Sequence, residues 1–479
     1  MSAQAATLRE THLVGADQLI DETGPLADER ADARAAQPTG MPPVGGIRRL
    51  ARAASGSFAL NVVNLGASVL TTIVLARVMT VAEFGIYSWV VATVMLLMVP
   101  VILGLDRLIV RDVAVFVGRG AHGLVRGLLR TSSLVVLGTC TAVGLLVVAV
   151  LVVGGSQVDP STAAALAIGI IALPAMAYGR IAQSVLMGFH QVVLGQLPDL
   201  LLRPLLLLGV VGLVVVVSGV PLEAPTAVAA YTVSAVAIAL VALVLMRRTM
   251  RARLQPAAPE YEWRRWLTAA AALTLLSGAF VVHSQTGVVL LGVLDSPESA
   301  GLYAVAQRGA LLVAFPLLAL NAALAPTAAR LWSTRHVDEL QRLVTAGTRG
   351  VLLGALPIAI IFIVFGSQLL GFVFGQPFSA AGVALAILCV GQLANTATGS
   401  VATLLIMSGN QALAAVGMGL GMLANVVLAV LLIPTLGVAG AAIAAATGLI
   451  VSNLIHVILA RRTLGIDTTA IGLPARHLP

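Results

Sequence analysis

Residues 83 to 112 read EFGIYSWVVATVMLLMVPVILGLDRLIVRD, and a second copy of their skeleton, SAGLYAVAQRGALLVAFPLLALNAALAPTAAR, occupies Ser299 to Arg330. Laid side by side without a gap, Gly85-Ile86-Tyr87 falls on Gly301-Leu302-Tyr303 and Pro100 falls on Pro316, both 216 positions apart. The chain is therefore built from two related halves. Each copy predicts an apolar helix that opens on a glycine and an interfacial tyrosine and carries an internal proline, which removes a backbone hydrogen bond and bends the helix. Membrane helices tolerate such bends, so Pro100 and Pro316 are the hinge candidates.

Of the 479 residues, 59% are hydrophobic and only 10% charged, with a mean hydropathy of +1.02. Such a chain cannot present a water-facing surface. A bilayer core of about 30 Å needs roughly 20 apolar residues per helix, and stretches of that kind recur from Ser57 almost to the end. The sequence predicts an all-α polytopic membrane protein of about twelve transmembrane helices, in two pseudo-twofold-related six-helix bundles around a central cavity. All 28 basic residues are arginine. A net charge of +8 would suggest nucleic acid in a soluble protein. Here the arginines cluster in loops between apolar spans, as the positive-inside rule expects, and no nucleic-acid partner is implied. Cys140 and Cys389 each sit in an apolar segment without metal spacing, and read as small core residues.

Residues 1–46 are polar and lack an apolar run, which predicts a disordered cytoplasmic tail too polar for a signal peptide. Arg48, Arg49 and Arg52 then hold the amino end in the cytoplasm. A first bundle over 47–253 contains spans at about 57–79, 85–105, 131–153, 162–186, 200–217 and 227–246. An interfacial linker, 254–266, ends in Trp263-Arg264-Arg265-Trp266, a pattern that anchors at a membrane surface. The second bundle, 267–462, repeats the plan at about 267–294, 302–328, 351–374, 383–407, 412–433 and 439–460, and a cytoplasmic tail follows over 463–479. Arginine-rich loops alternate with loops such as DSPES, GQPFSAA and PTLGVAG that have none. Both termini are therefore expected on the cytoplasmic side. Six spans per half is an even number, so the halves run parallel and are related by an axis along the membrane normal.

With these residues in place, the chain resembles the Wzx-like flippases of polysaccharide biosynthesis, in the multidrug/oligosaccharidyl-lipid/polysaccharide exporter superfamily. The resemblance covers nearly everything after the tail. It rests on Glu83-Phe84-Gly85-Ile86-Tyr87, on Gly104-Leu105-Asp106-Arg107 through Arg111, on Gly301-Leu302-Tyr303, and on Gly437-Val438-Ala439-Gly440-Ala441-Ala442. It implies a transporter in the inner (cytoplasmic) membrane whose cavity is lined mainly by the first two helices of each half. The implied substrate is an oligosaccharide on a polyprenyl pyrophosphate, flipped by alternating access while its lipid tail stays among the membrane lipids. An H+ or Na+ gradient would drive it, no cofactor is needed, and other polysaccharide assembly proteins are possible partners. The long polar amino-terminal tail departs from the family's usual short one.

An anionic headgroup calls for cations that face a cavity, because an arginine in hydrocarbon costs at least about 2.5 to 3.5 kcal/mol. Arg308 lies about two turns inside the eighth span, or roughly 10 Å deep at 1.5 Å per residue. Its counterpart in the first repeat is Ala92, so the scaffold does not require a cation there. Arg180 and Arg203 flank one cytoplasmic turn and either snorkel or bracket Asp199 as a structural pair. Arg107 and Arg111, at i and i+4, share one helix face at the cytoplasmic mouth and suit a pyrophosphate, although topology alone would also place them. His283 and Gln285 belong to a polar patch, His-Ser-Gln-Thr, in the seventh span. The histidine either couples transport to protons or is a hydrogen-bonded packing residue. Asn61, Asn64 and Asn321, on cavity-lining helices by the resemblance, either bond sugar hydroxyls or join helices. No metal-ligand set, nucleophile elbow or P-loop is found, which disfavours an enzyme such as a polymerase or glycosyltransferase. A drug or ion antiporter of the same superfamily is the nearer alternative.

Overall fold

The computed structural model describes residues 44–154, 159–219 and 221–472. The tail expected over 1–46 lies outside them except for its last three residues, which begin the first helix. Fourteen α-helices follow one another: α1 Val44–Val78, α2 Val81–Ile102, α3 Leu105–Gly118, α4 His122–Gly154, α5 Pro160–Gly188, α6 Val192–Leu197, α7 Arg203–Ser218, α8 Ala224–Arg253, α9 Trp263–Leu294, α10 Pro297–Ser333, α11 Val337–Phe374, α12 Gly382–Thr398, α13 Val401–Met407 and α14 Gln411–Thr463. Among the described residues, 10 helices are long and apolar enough to cross a membrane, and α9 adds a shorter apolar run, Gly278–Leu294. Since α14 breaks at Gly437 (φ 52°, ψ −127°) into two arms, each of the twelve expected spans has a helical counterpart.

Short polar signals start these helices. Thr80 caps α2 by accepting from the Glu83 N–H at 3.3 Å, and Ser296 caps α10 by accepting from Ser299 N–H at 3.2 Å. The two caps are themselves 216 positions apart, so the repeat extends to the residues that satisfy the helix ends. Asp159 caps α5 in the same way, with Pro160 at its first position. The bundle is apolar on its outside: Val153 is 88% and Val216 82% exposed. Only hydrocarbon accommodates a perimeter of that kind.

Within the first half, α5 packs on α8, α2, α3 and α4; within the second, α14 packs on α9 and α12, and α11 on α10 and α12. The halves meet through α2 against α9 and α10, with α3 also touching α9. The repeated glycines sit at this seam and face each other. A Cβ on Gly301 would lie 3.0 Å from Gly85 Cα and 3.1 Å from Val81 O, and a Cβ on Gly85 would strike the Pro297 carbonyl. A twofold relation brings equivalent residues together only beside its axis, so this contact places the axis between α2 and α10.

Around that contact the arginine-poor end is sealed. Phe84 of the first half packs edge-on against Phe378 of the second, with ring centroids 5.6 Å apart. Arg77, from the last turn of α1, donates to Val373 O at 2.9 Å and to Phe372 O, and so caps the carboxyl end of α11. Trp89 donates Nε1–H to Val289 O on α9 at 3.1 Å.

Several details depart from the expected pattern. Pro100 falls in the last turn of α2, and the backbone then breaks through Leu103 (φ 49°) and Gly104 (φ 66°) before α3 begins. Pro316 instead lies in the middle of α10, which runs on unbroken. A Cβ at Gly104 would meet Ala270 O at 2.6 Å and Thr274 N at 2.7 Å, so the close approach of α9 requires both the glycine and the turn there. Of the linker tryptophans, Trp263 is exposed, its ring 5.2 Å from the Arg264 guanidinium, whereas Trp266 is fully buried. Trp266 is thus a packing residue, not a surface anchor. The linker rides on the start of α4, where Glu260 N–H donates to Gly123 O at 3.1 Å and Arg126 reaches Gln255 O at 3.4 Å.

Past α14, the segment expected as a tail is buried over 464–468 and emerges only beyond it, with Ile471 exposed. Ile466 and Thr468 are fully inaccessible and Asp467 is 3% exposed. Gln341 donates Nε2–H to Asp467 O at 2.6 Å and accepts from Asp467 N–H at 2.8 Å. Thr348 donates to Thr468 O at 2.9 Å and Arg349 to Ala470 O at 2.8 Å. This strap ties α11, α12 and α14 together at the arginine-rich end.

Candidate functional site

The seam between the halves gathers some of the expected residues and leaves others aside. Arg308, two turns below the Gly301 contact on α10, is half-buried. It forms no ion pair or hydrogen bond with any described residue, and its guanidinium nitrogens are not among the buried polar atoms left without a partner. They are therefore not completely enclosed by the described residues. Across the seam stand Tyr87 and Tyr231 of the first half, both buried. Their rings meet edge to face with centroids 6.5 Å apart. Beyond them, Arg203 lies over the Tyr231 ring at 4.7 Å.

Gln285 also faces the opposite half, its Nε2 lying 3.6 Å from Met95 Sδ on α2. His283, two residues earlier on α9, turns about 200° away around a helix of 100° per residue. Asn425 on α14 donates to the His283 carbonyl at 3.0 Å and lies 3.3 Å from its Nδ1. The histidine therefore joins two helices of the second half and does not share a face with Gln285.

Asn321 accepts from Thr403 Oγ1 at 3.2 Å, again within the second half. Asn61 donates to Ser57 O of its own helix at 2.8 Å, and Asn64 is half-buried and bonds no described residue. Arg107 and Arg111 lie exposed on the same face of α3, opposite a buried face of Leu105, Leu108, Ile109, Asp112, Val113 and Phe116. Arg111 is paired with Asp112 at 2.7 Å but keeps 54% of its side chain accessible. Arg180 and Arg203 do bracket Asp199, at 3.9 and 3.1 Å.

Two residues at this seam were not singled out by the repeat. Tyr231 has no counterpart that marks it, and only its place in a mid-helix Ala-Ala-Tyr-Thr run sets it apart from lipid-facing neighbours. Arg77 is the exception among the arginine-poor loops, and that isolation is the signal that it serves a contact.

A helical bundle in two related halves, with an apolar perimeter and a half-buried arginine at the seam, is the framework with which known folds can be compared. Solved structures agree on the fold. A multidrug resistance MATE family transporter of the MOP superfamily, inward-facing, is 15% identical over 82% of this chain and 94% of its own, with a TM-score of 0.67. Lipid II flippase MurJ in an inward closed conformation is 12% identical over 85% of this chain and 87% of its own, at 0.60. A MOP superfamily transporter from Pyrococcus furiosus, described as having a binding pocket of reverse polarity, is 14% identical over 86% of this chain and 95% of its own, at 0.56. No curated protein matches in sequence. The model of the polysaccharide biosynthesis protein family matches residues 50–332, more than half of the chain, and the chain belongs to that family.

Proposed function

We propose that the protein flips an oligosaccharide carried on a polyprenyl pyrophosphate across the cytoplasmic membrane, for cell-surface polysaccharide synthesis. The observation that carries this reading is the half-buried side chain of Arg308 at the seam between the halves, with no ion pair or hydrogen bond to any described residue. A planar, permanently charged fork matches two phosphate oxygens at once. Arg107 and Arg111 on the exposed face of α3 supply a first landing place at the arginine-rich end, taken as cytoplasmic together with both termini. The headgroup then travels to Arg308, beneath the seal formed by Gly85, Gly301, Phe84 and Arg77, while Gln285, Asn64 and Asn321 meet sugar hydroxyls. Release follows when the halves rock and the seal parts, with Pro100 and Pro316 as flexible points and an ion gradient as the driving force.

The test is transfer of a lipid-linked oligosaccharide in vesicles holding the purified protein. Arg308→Ala abolishes transfer while reaching the membrane in normal amount, and Arg308→Lys restores only part of it, because an ammonium lacks the paired geometry. Full activity of the alanine variant would remove Arg308 from the site.

A further inference from the structure

In the first half, α4 and α8 both pack along α5 but do not pack closely on each other. The gap between them is a groove of about 360 Å³ floored by α5. Its lining includes Leu129 and Ser133 of α4, Tyr178 and Ile181 of α5, and Met246 and Arg247 of α8. The spacings are i, i+4 on α4 and i, i+3 on α5, so each of these helices turns one face to the gap. Tyr178 donates its hydroxyl to Ser133 O at 3.1 Å, which ties α4 to α5 across the floor. None of α2, α3, α9 and α10, the helices of the seam, lines the groove. The residues beside its walls, Leu134 on α4 and Val244 on α8, are exposed, so it opens on hydrocarbon and not on the space around Arg308.

Depth decides which part of the bilayer the groove meets. Leu129 lies 7 residues from the start of α4 (129 − 122), Ile181 lies 7 from the end of α5 (188 − 181), and Arg247 lies 6 from the end of α8 (253 − 247). At 1.5 Å per residue that is about 9 to 11 Å from the arginine-rich end. An arginine stem at such a level lies along apolar surface while its head reaches the phosphate layer. Arg247 is exposed and forms no ion pair or hydrogen bond with any described residue. Arg251, one turn nearer the helix end on the same face, is likewise exposed and unpaired. No acidic side chain among the described residues lines the groove.

These features select an occupant. At about 30 Å³ per water-sized body the groove holds about twelve of them, and a methylene is of similar size, so one extended hydrocarbon chain fits where a helix about 10 Å across does not. The unpaired guanidinium groups at the mouth call for phosphate oxygens, and a basic pocket between helices on the cytoplasmic side suits an anionic lipid. We infer that this groove binds an anionic glycerophospholipid of the cytoplasmic leaflet, with one acyl chain between α4 and α8 and its phosphate on Arg247. The chain supplies the packing that the two helices do not make with each other, and so stiffens the first half.

The experiment is a thermal melt of the full-length purified protein in detergent, titrated with phosphatidylglycerol, phosphatidylcholine, polyprenyl phosphate or inorganic phosphate. Phosphatidylglycerol raises the melting temperature saturably, phosphatidylcholine does so weakly, and inorganic phosphate does not. Arg247→Gln raises the half-saturating concentration of phosphatidylglycerol about fivefold, the worth of one arginine near a charged membrane surface. Arg248→Gln removes an equal charge from an exposed neighbour outside the groove and leaves that concentration unchanged. Ser133→Leu keeps the carbonyl that Tyr178 bonds but fills the groove, and weakens the response to both phospholipids. Equal effects of the two glutamine variants, or an unchanged response in Ser133→Leu, would reduce the binding to general surface attraction. Stabilisation by inorganic phosphate would make Arg247 a free-anion site, and stabilisation by polyprenyl phosphate that phosphatidylglycerol does not reproduce would assign the groove to the transported lipid. Each of these results overturns the inference, and none of them bears on Arg308.

Discussion

Gly85→Ala tests the seal at its tightest point. The added Cβ would collide with the Pro297 carbonyl, a backbone atom of the opposite half that no rotamer can move aside. Overpacking of this kind costs about 1 to 3 kcal/mol, and the better helix propensity of alanine acts alike whether the seam is closed or parted, so it cancels. The cost therefore falls on the closed seam, equivalent to a roughly 5- to 160-fold shift towards states in which the halves part there. Gly301→Ala is milder, because its Cβ would sit 3.0 to 3.1 Å from Gly85 and Val81 atoms and a small shift relieves it. Gly66→Ala, with nothing within 4 Å of the new methyl, leaves the seam unchanged. Spin labels at the exposed positions Glu223 and Glu298, one on each half, report the separation once the buried Cys140 and Cys389 are replaced. The expected order of lengthening is Gly85→Ala, then Gly301→Ala, then Gly66→Ala indistinguishable from the parent. A folded Gly85→Ala protein with the parent's distance distribution, or a larger effect at Gly301, would refute the reasoning.

The other expectations concern the contacts around that seam and the second half. Arg77→Gln loses the charge-assisted bonds to Val373 O and Phe372 O; with an exposed side chain this weakens the seal by about 1 kcal/mol, read as a smaller lengthening with the same labels. Gln341→Leu removes both hydrogen bonds to the Asp467 backbone and lowers stability by about 1 to 3 kcal/mol, seen as a lower melting temperature with transport retained in the surviving protein.

Much of this fold was legible because a membrane span is decided by a long apolar run, and because the repeat offset extends to capping residues such as Thr80 and Ser296. What escaped the sequence is where remote contacts decide. The turn at Leu103 and Gly104 exists because α9 brings the Ala270 carbonyl against it, and nothing near Pro100 announces that. GIDTTAIG reads as a polar tail, yet its backbone is paired by Gln341 and Thr348, whose partners lie more than a hundred positions away. Trp263 and Trp266 look alike in sequence, but three residues turn a helix by about 300°, and only the neighbours decide which ring is covered. His283 and Gln285 share a polar patch and are separated by the same geometry.

The symmetry of the halves gives a way to rank positions that burial alone does not. Where both copies keep the same small residue, as at Gly85 and Gly301, the pair meets itself beside the axis and the constraint is steric. Where the copies differ, symmetry cannot explain the residue, and a local cause must be found. At Gly104, matched by Leu320 in the second copy, that cause is visible: the α9 backbone leaves no room for a Cβ. At Arg308, matched by Ala92, no described residue pairs with the half-buried side chain. An unmatched charge at the seam, without an ion pair or hydrogen bond to any described residue, is the asymmetry on which the proposed role of Arg308 rests, whereas Arg203 is paired with Asp199 at 3.1 Å.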